Sequence, residues 1–236
     1  MKEQSKRKFG FSNNQLKIIA MFSMLLDHIG VYLLPECASL RILGRLAFPI
    51  FAYMIAEGCL YTRNRAKYLA LIAVLAAGCQ LVYWVAMRSL YQSILVTFSL
   101  AIITIYAIDF FIKKKNTFSC VVATLTVLAV AFLVIIAPEI WKEQGFIIDY
   151  GVFGILLPVA VYYAPKRGWK LLAAAVSLVA MAAYNGGFAW YSLAALPFLL
   201  LYNGARGKYR LKYMFYIFYP THLAVIYLIG LLLSAG

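Results

Sequence analysis

Nine apolar runs separated by short polar connections leave this chain little room to fold in water. They cover roughly residues 16–35, 44–60, 68–87, 93–112, 119–137, 146–163, 169–184, 188–202 and 213–234. A helix needs about 20 mostly apolar residues to cross the hydrocarbon of a bilayer, and most of the runs approach that length. The connections are too short to hold any domain outside the membrane. Composition agrees: hydrophobic residues are 65% of the 236 and charged residues 13%, against about 45–50% and about 25% in soluble domains. A soluble chain of this size could not bury so much apolar surface and still cover itself with polar groups. The expected fold is all-α, a polytopic transmembrane helical bundle of about nine spans forming one domain over residues 1–236. A re-entrant segment near 184–190 would change the count by one.

Charge orients the bundle. The chain carries 22 Lys and Arg against 8 Asp and Glu, a formal net charge of +14. The N-terminal arm, residues 1–15, holds Lys2, Lys6, Arg7 and Lys8. Later connections hold Arg63, Arg65 and Lys67, then Lys113, Lys114 and Lys115, then Lys166, Arg167 and Lys170, then Arg206, Lys208, Arg210 and Lys212. With nine spans these five segments share one side and 17 basic residues, or 18 with Lys17, while Arg41, Arg45, Arg88 and Lys142 fall opposite. Cytoplasmic loops of membrane proteins are enriched in Lys and Arg, so the N-terminus is expected in the cytoplasm of a bacterial inner membrane. The expected partner of this charge is anionic lipid, not nucleic acid. The basic start resembles a signal peptide, but no small-x-small cleavage site follows and the run contains Asp27 and His28, so it is expected to be a retained helix. Cys37, Cys59, Cys79 and Cys120 show neither CxxC nor metal-ligand spacing, so no disulfide framework, zinc site or other metal site is expected.

Ionisable residues inside apolar runs cost about 2.5–3.5 kcal/mol each on insertion scales and mark candidate sites. Asp27 and His28 sit near the middle of the first run. Lys17 lies eleven residues before His28, close to three turns and about 16 Å along the same helix face. Neutral imidazole is suited to accept a proton near pH 7, whereas Asp27 points away from His28 and is expected to pair with another helix. Arg41 and Arg45 are four residues apart, on one face if helical, a spacing that suits a phosphate clamp. A purely structural reading, an Asp–Arg pair joining two helices beside a core histidine, accounts for the same residues. Glu57 is read as a counter-ion to Arg45 or a proton acceptor, and Asp109, preceding three lysines, as a solvated helix-end carboxylate. Asp149 opens DYGVFG, where glycines permit close helix packing, and Tyr219 and His222 flank Pro220 in an aromatic stretch.

Three blocks carry a family likeness: LKIIAMFSMLLDHIG, then RILGRLAFPIFAYMIAEG followed by YTRNRAKY, and finally YMFYIFYPTHLAVIYLIG. In this order they resemble the TraX family, named for the conjugation protein that acetylates the N-terminus of F-type pilin. That family in turn resembles membrane-bound acyltransferases of the acyltransferase 3 type. Those proteins have a basic residue, ten others and then a His in the first helix, matched by Lys17 and His28, and an RxxxR pattern matched by Arg41 and Arg45. Their Ser-Gly motif is Ala56-Glu57-Gly58 here.

The resemblance implies a membrane-bound O- or N-acetyltransferase. Acetyl-CoA, or another acyl-CoA, would be a co-substrate, with no permanently bound cofactor. Arg41 and Arg45 would hold the donor phosphates with Lys17 assisting. His28 would act as general base or carry the acyl group, and Asp27 would orient helices or tune the imidazole. The acceptor would be a peptide amine, such as a pilin N-terminus, or an envelope glycan hydroxyl. Tyr219 and His222 match the C-terminal block without an assigned step. A transporter or flippase using the buried charges, and a non-catalytic assembly factor, are the alternatives.

Overall fold

The computed structural model describes residues 9–208 and 212–235. Lys2, Lys6, Arg7, Lys8 and Arg210 of the basic segments lie outside the described residues. Everything described is helix, turn or loop, with two isolated bridges, Phe11 to Tyr202 and Gln92 to Ile148, as the extended contacts. The chain divides into two compact units: Met1–Met54 with Lys166–Gly236, and Ile55–Pro165.

The first unit contains α1 (Asn13–Tyr32), α2 (Ala38–Gly44) and the first half of α3 (Ala47–Tyr61). Ser12 starts α1 as a capping box: its hydroxyl accepts from Gln15 N, and its own N–H donates to the Gln15 side chain at 2.8 Å. Two orphan backbone donors are satisfied together. The segment before α1 is tied to the 201–205 stretch, where Phe11 N donates to Leu201 O at 2.9 Å and Asn203 N to Phe11 O at 2.8 Å. α2 folds back onto α1 at Gly44, where a Cβ would stand 2.4 Å from the Cβ of Asp27. Only glycine permits that approach, and it sets the α1–α2 distance that the candidate site uses.

The second unit follows with α4 (Arg65–Met87), α5 (Ile94–Lys114), α6 (Thr117–Ala131), α7 (Ala137–Ile140) and α8 (Gly151–Tyr163). α5 is its centre, packed against α4, α6 and α8. Its apolar window is 67% buried, whereas that of the α6–α7 helix is 17% buried. Val121, Leu125, Leu128 and Phe132 point outward from the latter, an apolar stripe that a bilayer accepts and water does not. A wide π turn, Phe132–Ile136, joins α6 to α7. Pro138 follows it, and proline can neither donate to the preceding turn nor fit against its carbonyl, so a wider turn relieves the strain. Gly154 brings α8 onto α5, since a Cβ there would lie 2.5 Å from Thr97 Cγ2. The close packing expected after Asp149 is located at this glycine.

The first unit resumes with α9 (Arg167–Asn185), a 3-10 segment (Gly187–Ala195), α10 (Leu196–Leu200) and α11 (Lys212–Ala235). α11 packs on α1, and α9 on the 3-10 segment and α10.

Among the described residues five helices are long and apolar enough to cross a membrane: Ala38–Tyr61, Arg65–Val85, Ile94–Lys114, Thr117–Ile140 and Arg167–Asn185. Three other runs behave differently, for local reasons. Helix α1 carries Lys17, Asp27 and His28, which lower its hydropathy. Residues 146–150 form a loop, so α8 keeps only 13 residues, about 20 Å of helix. The 188–202 run is mostly 3-10, whereas the 213–234 run is one continuous helix, α11.

Replacing Gly44 by alanine is expected to push α2 off α1 and to destabilise the protein by about 1–3 kcal/mol, the usual cost of overpacking. Thermal unfolding of the detergent-solubilised variant checks this; an unchanged Tm would show that the two helices separate freely.

Candidate functional site

Asp27, on α1, is held by both arginines of the second helix. Arg41 Nη1 lies 3.1 Å from Asp27 Oδ2, and Arg45 Nη2 donates to Asp27 Oδ1. The i, i+4 spacing on one helix face, with Gly44 between them, lets two guanidinium groups converge on one carboxylate. One negative charge between two positive ones leaves a net charge of +1. Each guanidinium has five N–H donors, more than one carboxylate can occupy. Arg45 is therefore engaged by Asp27. Glu57, read as a counter-ion to Arg45 or a proton acceptor, is 3% exposed within α3.

One residue further along α1, His28 meets His222 of α11. His28 Nδ1 is 2.7 Å from His222 Nε2, and the ring centroids are 4.9 Å apart. His222 is 6% exposed and its Nδ1 donates to the Phe218 carbonyl at 2.8 Å. Phe218 stacks on it with centroids 4.8 Å apart and planes 9° from parallel, and Tyr219 meets it edge-on at 5.4 Å. His28 itself is half-buried. Of the seven candidates in the first unit, Asp27 and His28 come from α1, Arg41 and Arg45 from the second helix and its C-cap, and Tyr219 and His222 from α11. Lys17, near the start of α1, lies within electrostatic reach of Arg206.

The second unit holds a polar centre that the sequence did not reveal. Asp109 is 9% exposed rather than solvated. Its Oδ2 lies 2.5 Å from Arg65 Nη2 and accepts from the Tyr162 hydroxyl at 2.6 Å, while Oδ1 accepts from Tyr163 at 3.1 Å. Arg65 also lies over the Tyr106 ring at 4.9 Å. The start of α4 and the ends of α5 and α8 meet here, so a carboxylate beside three lysines is drawn inward by closer partners. No spacing within one helix announces this set, because the arginine and tyrosines bonded to Asp109 lie 44 to 54 residues from it. Asp149 serves a loop: its N–H donates to Gln92 O at 3.1 Å and its carboxylate accepts from Tyr91. Burial first, and then the Asp149 charge, push the Tyr91 phenol above its usual range.

Among the described residues no group of three or more His, Cys, Asp or Glu side chains could hold a metal ion, and the four cysteines are unpaired.

The family described as TraX protein matches residues 12–230. The probable fimbrial assembly protein FimC, serogroup H1, of Dichelobacter nodosus is 27% identical over 93% of this chain and 96% of its own length. An uncharacterized protein of Rickettsia prowazekii (strain Madrid E) is 50% identical over 38 residues, 16% of this chain and 15% of that protein. No solved structure matches the chain.

Asp27→Ala would strand two guanidinium groups in a half-buried setting. Removing one partner of a fully buried pair costs about 3–5 kcal/mol, and the partial exposure here places the expected loss near the lower end. Asp27→Asn, which keeps the shape, is expected to lose less. Unfolding of the two variants side by side checks the order; equal stability of Asp27→Ala and wild type would show that the clamp contributes nothing to the fold.

Proposed function

The chain belongs to the TraX family, and from that premise we propose that it is an integral membrane acyltransferase, moving an acetyl group from acetyl-CoA to an amine or hydroxyl. The single observation that carries this reading is the convergence, within one unit, of the His28 imidazole with an arginine pair ordered by one carboxylate. Acyl transfer from a CoA ester needs a base for the acceptor and cations for a polyanionic donor, and both chemistries are present.

In this reading Asp27 orders Arg41 and Arg45 as the cations that meet the donor phosphates, with Lys17 as a further cation. His28 accepts the acceptor's proton as the nitrogen or oxygen attacks the thioester carbonyl. A C–N or C–O bond forms, the C–S bond breaks, and the departing thiolate takes the proton back from the imidazolium. In the two-step version His28 itself attacks and carries the acetyl group before the acceptor receives it. The bundle crosses the bacterial inner membrane about nine times with its N-terminus in the cytoplasm, the layout that gathers most of the basic connections on that side.

The relative named for fimbrial assembly supports a peptide acceptor. A pilin-like N-terminal amine fits that process, and an envelope glycan hydroxyl fits the same chemistry. A transporter reading draws on the Arg65–Asp109 pair of the second unit, since intramembrane charge pairs also line ion pathways. It requires no CoA ester.

Purified protein is expected to bind acetyl-CoA saturably in calorimetry. Arg45→Ala and Arg41→Ala should each raise Kd about 10- to 100-fold, the loss of a charge-assisted hydrogen bond. His28→Ala should retain donor binding and lose acyl transfer by at least about 100-fold, the lower range for a missing general base. Folded wild-type protein that ignores acetyl-CoA would sink the acyltransferase reading in favour of transport.

A further inference from the structure

Resting on that acyltransferase reading, we propose that His222 is a positioning residue: it fixes the tautomer of His28, so that the atom presented to the acceptor is Nε2 of His28.

The argument follows two hydrogen bonds. A carbonyl oxygen only accepts, so the 2.8 Å contact between His222 Nδ1 and Phe218 O places a proton on His222 Nδ1. A neutral imidazole carries one ring proton, which leaves His222 Nε2 as a bare lone pair. That lone pair faces His28 Nδ1 at 2.7 Å, a distance two bare nitrogens would not tolerate. The proton between them therefore belongs to His28 Nδ1. His28 Nε2 is then left without a proton, which is the state a general base requires. Which ring nitrogen of a histidine is protonated is set by the hydrogen bond the other makes, and here the setting begins at a helix carbonyl. Imidazole in water favours the opposite, Nε2–H form, in which that nitrogen would be a donor and useless as a base.

The surroundings keep the relay in its neutral form. A doubly protonated His222 would satisfy the same distances. It would, however, place a cation on a side chain 6% exposed, in the unit where Arg41 and Arg45 already outnumber Asp27. Phe218 stacked on one face and Tyr219 at the edge hold the ring plane in line with His28.

The chain has two histidines, so nitrogen-15 labelling of histidine alone gives a spectrum of two imidazoles. Full-length protein in lipid bilayers, above about pH 8 where ordinary imidazole is neutral, is expected to show His28 with a protonated Nδ1 and a bare Nε2. His222→Gln leaves one imidazole and keeps a side-chain oxygen that can accept, so the His28 pattern should persist. His222→Leu removes the acceptor, and the protonated signal should move to Nε2. A wild-type His28 protonated on Nε2, a doubly protonated His222, or a His28 pattern unchanged in His222→Leu would each overturn the proposal. The wild-type spectrum decides the matter even where His222→Leu does not fold. No donor or acceptor is needed for this reading, so a failure to bind acetyl-CoA would remove the acyltransferase function and leave the tautomer result standing.

Discussion

A carboxylate set in an apolar helix is tolerable only when something cationic reaches it, and Asp27 is reached twice. Around that contact the first unit takes its form. Gly44 has no side chain because the backbone of the second helix must lie against Asp27. Arg41 and Arg45 are one turn apart because both must reach its two oxygens. Desolvating three charged groups is expensive, and their mutual attraction offsets the cost only in well-matched geometry. The pairing is the one expected of a structural Asp–Arg bridge joining two helices.

The histidine pair depends on the same helix. His28 follows Asp27 by one residue, about 100° around α1, so it faces a different neighbour, and that neighbour is α11. One element thereby holds a cationic cluster on one side and an imidazole relay on the other. The relay ends on the Phe218 carbonyl, one turn back along α11 from His222. A backbone group in a helix is as rigid an anchor as a fold offers, and the orientation of His28 derives from it.

The second unit follows a different logic. Its centre is α5, and its polar residues close the ends of helices. Asp109 gathers Arg65, Tyr162 and Tyr163 at one end, and the loops at the other are joined by Tyr91, Gln92 and Asp149. Asp109 shows where local reading fails. Three following lysines made a solvated carboxylate the natural expectation, but an arginine–tyrosine set from two other helices satisfies it better than solvent does.

Much was legible from one dimension. The apolar runs and their basic connections determined an all-helical membrane protein, because hydrophobicity of that length has no soluble solution. Asp27, His28, Arg41, Arg45 and His222 stood out because charge and imidazole are costly in apolar surroundings. Lys17 and the two arginines also carried spacings that a helix converts into faces. What the sequence could not supply was pairing. That Asp27 takes both arginines, that His28 meets a histidine 194 residues away, and that Asp109 turns inward are outcomes of helix packing. Such contacts depend on which faces meet across the bundle, and sequence periodicity specifies a face without specifying its partner. Helix lengths likewise depend on three dimensions, where Pro138 widens one helix, residues 146–150 shorten another, and a third run begins at Gly187 as a 3-10 coil.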